Sequence, residues 1–62
     1  MMPRRFVDDE GFGATVKEVA GHEFVLSVIA PDGRVLLDRV FPTEEMAVGR
    51  LMLDYPALRE VA

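Results

Sequence analysis

Two apolar runs, Phe24-Val25-Leu26-Ser27-Val28-Ile29 and Val35-Leu36-Leu37-Asp38-Arg39-Val40-Phe41, flank Pro31-Asp32-Gly33 in this chain. Pro31 pre-sets φ for the first corner of a type I turn, and Asp32 suits the second. Gly33 takes the left-handed conformation that realigns two strands after a three-residue loop. The segment therefore predicts a β-hairpin. Both of its faces carry apolar side chains, whereas a sheet with one solvated face alternates apolar and polar residues. A chain of 62 residues has little material with which to cover two faces.

The rest of the outline follows from punctuation. Phe12 to Val19 alternates in the β manner, and Ala20-Gly21-His22 supplies a turn into the hairpin, so three strands form a meander. Pro42 ends the third strand, Thr43 is a good N-cap, and Glu44-Glu45 place negative charge in a first helical turn, where the macrodipole favours it. The helix should end near Asp54, because Pro56 biases Tyr55 away from α geometry, and a short helical turn from Ala57 to Val61 closes the chain. Residues 1–11 alternate basic and acidic groups, Arg4-Arg5 then Asp8-Asp9-Glu10, and are expected to form a mobile arm, with a short edge strand at Arg5-Phe6-Val7 as the other option. The expected fold is α+β: a three-stranded antiparallel meander followed by one helix on one sheet face (β-β-β-α), in a single domain over residues 12–62.

Register divides the side chains between faces. A three-residue Pro31-Asp32-Gly33 loop opposes Val28 to Leu36, Leu26 to Asp38 and Phe24 to Val40. With a three-residue loop at Ala20-Gly21-His22 as well, the helix-facing side comprises Phe12, Ala14, Val16, Phe24, Leu26, Val28, Leu36 and Val40. A two-residue Gly21-His22 turn would instead slip the first strand and place Thr15 and Lys17 on the core side. The opposite face then holds Thr15, Lys17, Ser27 and Arg39, but also Val19, Val25, Ile29, Val35, Leu37 and Phe41, too apolar for a solvated surface. On the helix, Ala47, Val48, Leu51, Met52 and Tyr55 form the sheet-facing stripe, and Met46, Gly49 and Leu53 fall outside it. Val25, Ile29, Val35, Leu37, Phe41, Met46 and Leu53 are therefore the candidate partner-binding residues. Their occupant is expected to be a second copy of the chain or a protein with a basic or apolar surface. The alternative is that Phe6-Val7 and Ala57-Leu58-Val61 fold over these patches.

Chemistry-bearing residues are few. There is no cysteine, and the lone His22 cannot assemble a structural zinc site, which needs four ligands. His22 sits in a turn with no thiol to activate, and Ser27 lies mid-strand, so no catalytic residue is expected and the protein is read as non-enzymatic. Asp8-Asp9-Glu10 lacks the spaced ligands of a calcium loop, and Gly11-Phe12-Gly13 precedes a strand rather than the helix a phosphate site requires. No metal or cofactor is expected. No apolar run reaches membrane-spanning length, nor does one of signal-peptide length follow the opening basic residues, so a cytoplasmic location is expected. The formal charge of -4 opposes general affinity for phosphate backbones.

The order of three strands and a helix entered through Phe41-Pro42-Thr43-Glu44-Glu45-Met46-Ala47 resembles the layout of plant ethylene-response DNA-binding domains and phage-integrase arm-binding domains. That resemblance implies a sheet face laid in the major groove, here with Lys17, Arg34 and Arg39 as its cations. In those domains the exposed face is rich in Arg and Trp, whereas the matching positions here are Val19, Val25, Ile29, Val35 and Leu37, in a chain without Trp. The primary expectation is thus a small interaction or regulatory protein, such as an inhibitor that occludes a partner's surface, with sheet-face DNA binding as the second.

Overall fold

Five strands and one helix follow one another as β1 (Arg4–Val7), β2 (Gly13–Ala20), β3 (Glu23–Ile29), β4 (Val35–Phe41), α1 (Glu44–Asp54) and β5 (Arg59–Glu60) in a computed structural model describing residues 3–61. The strands form one antiparallel sheet in the order β4-β3-β2-β1-β5. The α+β class with one helix on one sheet face is as the sequence predicts. The sheet has two more strands than the meander alone supplies.

The first extra strand, Arg4–Val7, realises the strand option at Arg5-Phe6-Val7 in place of the mobile arm, though between β2 and β5 rather than at an edge; Met1 and Met2 lie outside the described residues. Phe6 drives it, since its ring is buried opposite Ala14 and joins the core, which contributes about 2–3 kcal/mol. The charges around it are satisfied locally. The Asp8 carboxylate accepts hydrogen bonds from the Glu10 and Phe12 backbone N–H groups at 2.9 and 3.0 Å, which turns the chain into β2. The second extra strand replaces the expected C-terminal helical turn. Leu58 enters the core, and its N–H donates to the Tyr55 carbonyl at 3.1 Å, tightening the chain around Pro56. That reversal delivers Arg59 and Glu60 to the free edge of β1.

The helix forms as its sequence dictates. The Thr43 hydroxyl accepts from the Met46 N–H at 3.1 Å, Glu44 and Glu45 occupy the first turn, and the Tyr55 N–H closes the last turn on the Leu51 carbonyl. Ala47 and Leu51 are buried against the sheet, with Val48, Met52 and Tyr55 packed around them. Ala14, Val16, Leu26 and Val28 complete this core from below. Among the described residues no buried side-chain nitrogen or oxygen lacks a partner.

Two bulges decide the register. The β2–β3 ladder pairs Val16 with Leu26 and Ala14 with Val28, as expected from a longer loop, yet only Gly21 and His22 connect the strands. Val19 is the extra residue that reconciles the two, and His22 takes the left-handed conformation at φ 61°. The hairpin loop matches expectation: the Ala30 N–H donates to the Arg34 carbonyl at 2.9 Å, and Gly33 stands at φ 92°. Beyond it the ladder slips, because Ile29 opposes Val35 while Val28 opposes Leu37, leaving Leu36 as an extra residue. Every later β4 residue changes face relative to the sequence-based register. Leu37 and Phe41, expected on the partner face, pack against the helix-side core, and Arg39 joins them opposite Leu26. Leu36 and Val40, expected in the core, are exposed.

This register is testable with adjacent residues. Leu37→Asp is expected to destabilise the fold by ~2 kcal/mol or more, because it drives a charge into the packed side. Leu36→Asp should stay within ~1 kcal/mol of the parent; denaturant midpoints of the two variants check the order, and a reversed order would restore the unbulged register. By the same measurement, Leu26→Ala should cost roughly 2–5 kcal/mol through the cavity it leaves. Gly33→Val should cost about 1–3 kcal/mol from backbone strain alone, since no atom lies within 4 Å of the added Cβ position.

Candidate functional site

The helix, Phe6 and Leu58 all lie on one side of the sheet, so the segments that were candidates to cover the second face instead enlarge the first core. No element of the described residues packs on the other side. The register arranges this open face in rows running from β1 to β4. One is Val7–Gly13–Ile29–Val35, the next Arg5–Thr15–Ser27–Asp38, and the third, from β2 onward, Lys17–Val25–Val40.

Each row has its own character. In the first, Val7, Ile29 and Val35 are exposed around Gly13, which has no side chain to fill the space between them. Beside it, between this row and the next, lies a shallow hollow of about 210 Å³ lined on this face by Arg5, Gly11, Gly13, Thr15, Ser27 and Ile29. The second row is polar, with a positive end at Arg5 and a negative end at Asp38, whose carboxylate accepts a long hydrogen bond of 3.4 Å from Ser27 Oγ. The third row sets Lys17 beside two valines. Neither Arg5 nor Lys17 makes an ion pair among the described residues, in contrast to Arg4, Arg34, Arg50 and Arg59.

Of the candidate partner-binding residues, Val25, Ile29 and Val35 lie on this face, Val25 half-buried among its neighbours and Val35 63% exposed. Leu37 and Phe41 lie on the helix side. Met46 and Leu53 project from the outer side of α1, and with Arg50 paired to Asp54 between them they make isolated apolar points rather than a patch. Val7 and Val40 join this face beyond the sequence-based candidates, Val7 because the β1 strand, the second option for residues 5–7, forms, and Val40 because of the bulge. The three cations of the DNA-binding reading are dispersed. Lys17 is on the open face, Arg34 is held by Asp32 at 2.8 Å in the hairpin loop, and the Arg39 guanidinium sits 5.6 Å from the Phe41 ring on the helix side.

The open face depends on β1 being held in place, and Arg4 does this from the opposite side. Its guanidinium makes a paired hydrogen bond to the Glu60 carboxylate at 2.8 and 2.6 Å and a third bond to Glu44 at 3.1 Å. One side chain thus ties together β1, β5 and the N-terminus of α1. The hydrogen bond from Arg4 holds the Glu60 carboxyl below its usual value of 4.5, and the same bond raises Arg4 above its ordinary range. His22, the single imidazole, is exposed in the β2–β3 turn. Among the described residues no three His, Cys, Asp or Glu side chains converge on a possible metal position, and no helix is long and apolar enough to cross a membrane.

No family model matches the sequence, and neither a curated protein nor a solved structure matches it significantly.

The Arg4–Glu60 pair carries a pH prediction. A carboxylate whose folded pKa is depressed supports the fold at neutral pH, and that support fades as pH falls from about 4.5 through the lowered value. The Val61 N–H, which donates to the Arg5 carbonyl at 2.8 Å, reports whether β5 is docked. Its protection factor should decline across that window in the parent and show less pH dependence in Glu60→Gln; equal profiles would place the pH sensitivity elsewhere.

Proposed function

We propose that the chain is a non-enzymatic protein–protein interaction module of the cytoplasm that works by docking the open sheet face on a protein surface, and so regulates or inhibits its partner by occlusion. The observation that carries this reading is the open face itself, where Val7, Ile29, Val35 and Val40 stand exposed on β1, β3 and β4, with Arg5 and Lys17 among them making no ion pair among the described residues. A self-contained fold normally places polar residues there. The accessible surface of 4208 Å² is close to the roughly 4000 Å² expected of a compact monomer of this mass. The apolar exposure on this face is therefore not a product of loose packing. Apolar anchors rimmed by a few charges are what protein interfaces use, with charge setting orientation and approach rate.

Sheet-face DNA binding draws less support. Its three cations lie on separate surfaces, and the phosphate-rich groove would meet a net acidic molecule. The test is comparative capture from the native cell with three baits: parent, Val25→Asp on the open face, and Leu53→Asp on the outer helix surface. A partner retained by the parent and by Leu53→Asp but lost with Val25→Asp is the expected result. A captured set unchanged by Val25→Asp, all three baits being equally folded by circular dichroism, would reject the reading.

A further inference from the structure

We propose that the open face binds a second copy of the chain through a two-fold axis running parallel to the strands between β2 and β3; this rests on the reading of that face as a docking surface and names its occupant. Such an axis lays each row of one copy antiparallel over the same row of the other, β1 over β4 and β2 over β3. The rows are self-complementary under that operation. Arg5 comes over Asp38 of the second copy at both ends of the polar row, giving Arg5 a counter-charge that the described residues of its own chain do not supply. Thr15 meets Ser27. In the apolar row Val7 meets Val35, and Ile29 of each copy arrives over Gly13 of the other, at the hollow of about 210 Å³. In the third row the Lys17 stem covers Val25 while its ammonium reaches the rim.

The perpendicular placement along the same row fails on charge. A two-fold perpendicular to the strands along the polar row would set Arg5 on Arg5 and Asp38 on Asp38. Twisted sheets pack face to face with their strands about 30° apart, so β1 and β4 of the other copy, ~7 Å from the axis, are offset by about 4 Å, within reach of an arginine side chain. Four strands ~4.8 Å apart and about seven residues long at ~3.3 Å each offer a footprint of roughly 450 Å² per copy. That is the small end of specific interfaces, so the dimer should be reversible, with a Kd of roughly 10–500 µM.

Sedimentation equilibrium on the full chain from about 10 µM to about 1 mM tests this, each variant being checked for unchanged circular dichroism. The expected result is a dimer that weakens by roughly tenfold in Arg5→Asp and in Asp38→Arg, and recovers to within about threefold in the double variant, where the swapped charges again face each other. Gly13→Leu, which fills the hollow at a strand position of ordinary φ, should weaken it independently. A monomer throughout this range, a dimer indifferent to both reversals, or a dimer disrupted by Leu53→Asp instead would overturn the proposal. A monomer whose Val25→Asp variant still loses its captured partner removes the second copy alone as occupant. A monomer whose capture is also indifferent to Val25→Asp removes the docking face with it.

Discussion

One helix of eleven residues is about 16 Å long and 10 Å wide, too little to cover even one face of this sheet alone. Everything else in the molecule is arranged around that limit. α1 lies over β2, β3 and β4, and the parts of the sheet it does not reach are closed by Phe6 and Leu58 on the same side. The chain therefore invests its two termini in finishing one core rather than in starting a second. That choice gives a core with no unpartnered buried polar atom among the described residues, formed from four small or branched strand residues and two helix residues plus the two plugs. It also leaves the second face without any element of its own.

A sheet can recruit another chain by its edge or by its face, and the two routes differ here. β4 is an outer strand of seven residues, long enough to template a neighbour. Its edge is interrupted by the bulge at Leu36, and its centre carries Asp38 and Arg39 on opposite faces. Antiparallel self-pairing centred on either residue would bring two like charges directly opposite one another, which is destabilising. The other edge is taken by β5, locked by the paired Arg4–Glu60 hydrogen bonds. Both edges are thus guarded while the face between them is not.

Much of this was legible in the sequence because it is local. The Pro31-Asp32-Gly33 loop, the Thr43 cap, the helix stripe and the alternation of β2 each depend on residues within a few positions of one another. What could not be read depends on distant or degenerate signals. Arg4 finds Glu60 across 56 positions, so nothing near Phe6 announces that its charged flanks have partners. β5 contributes only two residues and follows Leu58 into place. The bulge is invisible for a different reason. Val35, Leu36 and Leu37 are three apolar residues in succession, so the pattern fits either parity, and only the packing of Leu37 and Phe41 against the helix side selects one.

That single extra residue sets the chemistry of the open face. In the unbulged register Asp38 would lie opposite Leu26 on the helix side, and the open face would present Arg5, Lys17 and Arg39, a uniformly positive surface of the kind that suits a phosphate backbone. With Leu36 inserted, the strand turns over. Arg39 moves to the helix side and stacks near Phe41, while Asp38 enters the row that begins with Arg5. A face of one sign becomes a face with a positive end and a negative end, and such a face repels neither a mixed protein surface nor its own copy in the reversed orientation. Whether the open face of this chain is uniformly positive or of mixed sign thus rests on backbone register rather than on composition, since the bulge decides which of the same side chains face outward together.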